Sequence, residues 1–214
     1  GSAKAAEAVA ALEERANVAA RISRVEELGA LHEIANLKRE HNDHAGAMEL
    51  YDEVKGGQAM ALGTNHPDYL ATLNNMAMVK AGQYDLAGAM ELYEEVKTGR
   101  AEALGTKHPD YLKTLNNIAG VKQDQNDLAG AIQLYEEVKA GQAEALGTNH
   151  PDFLVTLNNM AMVKEKQNDL AGAMELYEKV KAGQVDALGT NHPDYLETLH
   201  NMASVKQDQN DLSG

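Results

Sequence analysis

The chain has 214 residues and no cysteine, which removes disulfides and thiolate metal sites from consideration. Its 33 acidic residues against 19 basic ones give a formal charge of −14, a field that repels phosphate backbones and argues against nucleic acid as a partner. No apolar run nears the roughly 20 residues of a membrane-spanning helix, no glycine-rich phosphate loop is present, and serines are few, so neither a membrane partner nor an enzyme is expected.

The chain opens Gly1-Ser2, which reads as a tag scar. Within residues 1–23, Ala5, Ala8, Val9, Leu12, Ala16 and Ala19 fall at helical spacing, so a capping helix is expected there. Ala8, Val9 and Leu12 stand 42 residues before Leu50, Tyr51 and Val54, the place of a second helix in a preceding unit. Residues 24–65 form a divergent first repeat. Leu31, Ala35 and Lys38 match Leu73, Ala77 and Lys80, but Arg24-Val25-Glu26 replaces a His-Pro-Asp opening. Its first helix is expected to run on from the cap with a soft break at Ser23 or near Gly29.

Regular units then begin at His66, His108, His150 and His192, each 42 residues after the last. The expected repeats are 66–107, 108–149 and 150–191, with a partial one at 192–214, all in one solenoid domain. In the unit from His66, Gly63 suits a helix exit, Pro67 a first helical turn, and Asp68 the positive end of the helix dipole. Leu70, Leu73, Met76 and Ala77 share a face, and Gly82-Gln83-Tyr84-Asp85 breaks the pattern. A second helix follows with Leu86, Ala89, Met90, Tyr93, Val96, Ala103 and Leu104 as its expected apolar stripe. Gly88, Gly130 and Gly172 mark either a helix start or a close approach. The chain stops at Asn210-Asp211-Leu212-Ser213-Gly214, which matches the opening of a second helix at Asn168-Asp169-Leu170-Ala171-Gly172.

Leu73-Asn74-Asn75-Met76-Ala77 followed by Ala89 and Tyr93 resembles the tetratricopeptide repeat. The opening Leu62-Gly63-Thr64-Asn65-His66-Pro67-Asp68 and the 42-residue spacing resemble the longer variant of kinesin light chains. Lys38, Lys80, Lys122, Lys164 and Lys206 depart from that pattern, since the family usually has tyrosine there. The resemblance implies an all-α, right-handed superhelical solenoid of antiparallel helix pairs. First helices would line a concave face that binds peptide segments.

By resemblance, Asn74, Asn116 and Asn158 would hold a peptide backbone; an amide both donates and accepts, so it can do this without reading sequence. The structural alternative is a bond to a neighbouring helix, for these and for Asn75, Asn117, Asn159 and Asn201 alike. The expected inner face adds Ala71, Met78 and Ala81, then Lys113, Gly120 and Gln123, then Val155, Met162 and Glu165, with Met78 and Met162 as adaptable apolar surface. Lys80, Lys122 and Lys164 could meet acidic ligand groups, or lay their stems on apolar surface and their heads on a nearby acid. The unit histidines are too far apart to share a metal and are read as helix-start residues. His41 and His44 lack a clear third ligand, so no metal or cofactor is expected.

The functional expectation is a protein-interaction scaffold that binds a peptide or partner helix on its inner face. The alternative is a structural spacer or a self-associating, duplicated or designed array without a specific ligand. End-to-end association through an unpaired last helix belongs to that alternative. A cytoplasmic location is expected from the absence of cysteine alone.

Overall fold

The computed structural model describes the backbone of residues 2–211 and the side chains of residues 12–209. The described residues form only α-helices: α1 (Ser2–Glu40), α2 (His44–Ala61), α3 (Pro67–Gly82), α4 (Leu86–Leu104), α5 (Pro109–Asp124), α6 (Leu128–Ala145), α7 (Pro151–Lys166), α8 (Leu170–Ala187) and α9 (Pro193–Asp211). Readings that rest on Gly1, on the side chains of Ala5, Ala8 and Val9, or on the match at 210–214 lie outside the described residues.

Two kinds of helix start alternate, and each has a local cause. The first is His-Pro-Asp. Nδ1 of His66, His108, His150 and His192 accepts the backbone N–H of Asp68, Asp110, Asp152 and Asp194 at 3.2, 3.1, 3.1 and 3.3 Å. Proline at the next position has no N–H to leave unsatisfied, and the aspartate faces the helix dipole. Before each start the chain leaves the preceding helix through Gly63, Gly105, Gly147 or Gly189, all at positive φ of 82–89°.

The second start is an aspartate. Oδ1 of Asp43, Asp85, Asp127 and Asp169 accepts the N–H of Gly46, Gly88, Gly130 and Gly172 at 2.9–3.0 Å. Oδ2 of the same residue receives the ammonium of Lys38, Lys80, Lys122 or Lys164, at 2.5–2.7 Å. The recurring glycine is therefore both a helix start and a close approach, because a Cβ there would meet the aspartate carboxylate.

Second helices bury one tyrosine, valine and alanine per unit: Ala47, Tyr51 and Val54, then Ala89, Tyr93 and Val96, and their counterparts through Val180. First helices answer with Leu70, Leu73, Met76, Ala77 and Val79 and their equivalents. A second glycine column lets the helices close: a Cβ on Gly99, Gly141 or Gly183 would stand 2.6–2.7 Å from a methyl of Leu70, Leu112 or Leu154. Three-residue turns join the two helices of each pair, which leaves them antiparallel. The chain divides into two compact units, residues 1–99 and 100–214. Each holds its own core, around Tyr51, Leu73 and Val96 in the first and around Tyr135, Met160 and Tyr177 in the second.

Two expectations need correction. No break interrupts α1 at Ser23 or Gly29. That segment has neither a proline nor a left-handed glycine, and Arg24 continues the helix with an ion pair to Glu27 at 2.6 Å. In α4 the buried stripe runs Ala89, Tyr93, Val96, Gly99 and Arg100, whereas Ala103 and Leu104 are exposed. Beyond Gly99 the helix has already turned its inner side to Arg100, which reaches the carbonyl of Asp110 at 2.8 Å. Among the described residues no helix is long and apolar enough to cross a membrane.

Candidate functional site: two equivalent recesses on the first helices

Each first helix from α3 onward carries a fully buried threonine: Thr72, Thr114, Thr156 and Thr198. Its hydroxyl sits against a buried polar side chain 14 residues earlier, on the preceding second helix. Thr72 meets Gln58 at 2.8 Å, Thr156 meets Gln142 at 2.8 Å, and Thr198 meets Gln184 at 2.9 Å. At Thr114 the partner is Arg100, which donates at 2.9 Å. Burial depresses the Arg100 pKa. The threonine hydroxyl also lies 3.0–3.1 Å from the carbonyl four residues back.

Above two of these pairs the surface opens into a recess of about 250 Å³. In the first unit Val25, His32, Glu33, Gln58, Asp68 and Ala71 line it. In the second unit Val155, Asn158, Gln184, Asp194, Glu197 and Thr198 do so. Four of these are the same register positions displaced by three repeats: His32 corresponds to Asn158, Gln58 to Gln184, Asp68 to Asp194 and Ala71 to Glu197. The column Ala71, Lys113, Val155 and Glu197 varies in charge and size, and three of its members fall on recess walls or beside them in sequence.

The asparagines divide by partner. Asn116 Oδ1 accepts from Thr156 at 3.2 Å, a bond between neighbouring first helices. Asn74 and Asn158 each direct Nδ2 to the sulfur four residues on, Met78 or Met162, at 3.7 Å. Asn74 is buried, and Asn158 faces its recess. Asn75 serves the stack, donating to Asn36 at 2.8 Å and lying 3.3 Å from His32 Nε2. With Nε2 accepting from Asn75, the His32 proton is on Nδ1 and points to Thr72 Oγ1, 2.9 Å away. Burial depresses the His32 pKa, in keeping with a neutral ring.

Other proposed residues scatter. Met78, Met162 and Lys113 are exposed, and Gln123 is buried. Lys80, Lys122 and Lys164 close the turn into the second helix by pairing with Asp85, Asp127 and Asp169. Those hydrogen bonds, with the glycine N–H second, depress the aspartate pKa values. Sequence reasoning missed the glutamine–threonine floor and the place of His32 in the asparagine column. The signal was there: Gln58, Gln142 and Gln184 recur at the 42-residue period, with Arg100 as the one departure.

Comparison with known proteins agrees with this architecture. A tetratricopeptide repeat family model matches residues 68–144, 110–183 and 152–213, and a second one matches 28–68. A crystal structure of kinesin light chain-like, nearly identical TPR-like repeats from Podosopora anserina superposes with a TM-score of 0.70 at 29% identity, over 87% of this chain and 89% of that one. BtubC (BKLC) from P. vanneervenii gives a TM-score of 0.72 at 20% identity, over 92% of this chain and 84% of its own. Aspartyl phosphate phosphatase F from Bacillus subtilis shares the fold, with a TM-score of 0.68 at 13% identity over 94% of this chain and 56% of its own. No curated protein matches by sequence. With most of its length matched and its helix pairs repeating at 42 residues, the chain belongs to the tetratricopeptide repeat family of protein-interaction scaffolds, in its kinesin-light-chain-like form.

Proposed function

We propose that the chain binds an extended peptide segment, or a helix of a partner protein, along the face its first helices present. The observation that carries this reading is the recurrence of one recess, with the same floor and the same wall positions, in both units. Asn158 lies on a wall, and Asn74 and Asn116 occupy its register positions. Met78 and Met162 extend the apolar surface beside them, and Lys113 occupies the wall position of its own repeat. Lys80, Lys122, Lys164 and Gln123 support the scaffold around that face rather than a ligand.

The test is a peptide-library selection on the chain, repeated with two variants. One carries Asn74→Ala, Asn116→Ala and Asn158→Ala; the other carries Val155→Trp, which fills a recess from an exposed position. Circular dichroism establishes that both are folded. Enriched peptides lost in both variants support the groove. Peptides that bind all three proteins equally would refute it.

A second reading has its own observation. Leu196 and Leu199 on α9 are 53% and 38% exposed, while their counterparts Leu154 and Leu157 are each 4% exposed. Such a bare apolar face supports self-association. Light scattering across concentration tests it: a mass above the monomer that collapses in a Leu196→Glu, Leu199→Glu variant is the expected result, and a concentration-independent monomer rejects the idea.

A further inference from the structure

We infer that the bare face of α9 docks the N-terminal part of α1, residues 2–23, from a second copy of the chain; this rests on the self-association reading above and names its partner surface. Within the array a first helix is covered by the second helix that follows it. Leu154, Leu157 and Ala161 of α7 share one core with Ala173, Tyr177 and Val180 of α8, and none of the first three is more than 4% exposed. Their counterparts on α9 are Leu196, Leu199 and Ala203, all exposed. The face therefore calls for a second helix, with apolar residues at the spacing of Ala173, Tyr177 and Val180.

One stretch of the chain has that register and stands uncovered. Ala5, Val9 and Leu12 precede Ala47, Tyr51 and Val54 of α2 by 42 residues, and those are the same three positions. α1 runs unbroken from Ser2 to Glu40, so the stretch continues straight on from a first helix instead of turning back to pack against it. Every residue from 12 to 23 is exposed, Leu12 by 62% and Ile22 by 56%. The stretch also lacks the charge that keeps copies apart. Lys4, Arg15 and Arg21 balance Glu7, Glu13 and Glu14 in a chain of −14 overall.

Two further features bear on the pairing. α1 has another bare patch, Ile34 and Leu37, 46% and 56% exposed. Their counterparts Met76 and Val79 share a core with Ala47 and Tyr51 of α2. That patch also calls for a second helix, so α9, a first helix, does not match it. Arg15 sets how closely the two copies approach. It stands where the second helices have Gly57, Gly99, Gly141 and Gly183, and a Cβ on Gly183 would come within 2.6 Å of a Leu154 methyl. α1 therefore rides farther from Leu196 than α8 does from Leu154, and the contact is one that dissociates on dilution. Since α1 and α9 are different surfaces, every copy offers one of each. Copies then join head to tail, or two of them exchange helices.

The experiment is sedimentation equilibrium on two variants, alone and mixed, with circular dichroism establishing that both are folded. Leu12→Glu spoils the α1 surface and keeps α9 intact; Leu196→Glu with Leu199→Glu does the opposite. All three positions are exposed, so neither variant disturbs a core. The unaltered chain should exceed the monomer mass as concentration rises. Each variant alone should associate at least about tenfold more weakly, because a carboxylate would be buried in the contact. An equimolar mixture should restore association as a heterodimer, since one variant supplies α9 and the other α1. A Leu12→Glu chain that still associates like the unaltered one would overturn the inference and leave self-association through α9 standing. A mixture no heavier than its separate components would overturn it too. An unaltered chain that stays monomeric throughout would remove both readings.

Discussion

A single residue can decide whether two helices meet. Gly141 leaves only 2.7 Å between the site of a Cβ and a methyl of buried Leu112, whereas a Cβ on Gly120 would find its nearest neighbour at an ordinary 3.7 Å. Gly120→Ala should therefore stabilise the chain by about 1 kcal/mol through helix propensity, and Gly141→Val should destabilise it by about 1–3 kcal/mol through overpacking. Urea midpoints compare the two. Tyr84 offers a test of backbone strain. It holds φ of 62° where the matching residues are Asn42, Asn126 and Asn168, and it is 82% exposed, so little packing is lost on replacement. Tyr84→Asn should raise stability by about 1 kcal/mol, since asparagine tolerates the left-handed region better. His32 is a third case. Its depressed value means that the unfolded chain takes up the proton first, so its contribution is present above the ordinary 6.5 and is lost as pH falls from there towards the folded value. His32→Asn, the residue at this position in the next three repeats, should flatten that part of the stability profile.

At the scale of the element, the turn between paired helices is a charge device. Each aspartate caps one helix with one oxygen and holds a lysine of the preceding helix with the other. The four carboxylates sit below their ordinary value of 3.8 because of the lysine hydrogen bond first and the glycine N–H second. Their stabilisation is complete above the unfolded value and disappears as pH falls through the folded one. Helicity followed by circular dichroism should drop below about pH 4, and Asp85→Asn, Asp127→Asn and Asp169→Asn together should flatten that drop. An unchanged acid limb would show that the pairing contributes nothing. Much of this was legible beforehand. His-Pro-Asp gave the first helices to the residue, because proline and a left-handed glycine admit few backbones. The lysine–aspartate pair was less so: Lys80 and Asp85 are five apart, a spacing that carries no helical signature until the left-handed Tyr84 folds them together. The unbroken α1 was missed because a repeat imposes its own expectation on a segment that lacks the residues enforcing it.

At the scale of the molecule, the candidate site could not be read from any one repeat. Its floor joins a second helix to the next first helix, and its walls join first helices of neighbouring repeats, so only the packed array assembles it. Asn158 could be singled out as a member of the asparagine ladder, and Val155 and Glu197 as variable positions, but not as members of one recess. The charge of −14 also acts at this scale. It should speed association with cationic segments, and the on-rate of an arginine-containing peptide should fall steeply with added salt. A salt-insensitive on-rate would show that the net charge does not steer association.

The packing of Tyr51, Tyr93, Tyr135 and Tyr177, one in each successive helix pair, gives the array an optical ruler. The chain has no tryptophan to obscure them. Burial pushes all four phenols up from the ordinary value of 10.0, so each keeps its proton while its pair is closed and releases it on opening. In alkali, the tyrosinate absorbance lost when all four are replaced by phenylalanine, set against that of the other four tyrosines, then counts open helix pairs. Stepwise growth of that signal would mean that the array unzips from its ends, and a single rise would mean that neighbouring pairs are coupled strongly enough to open as one.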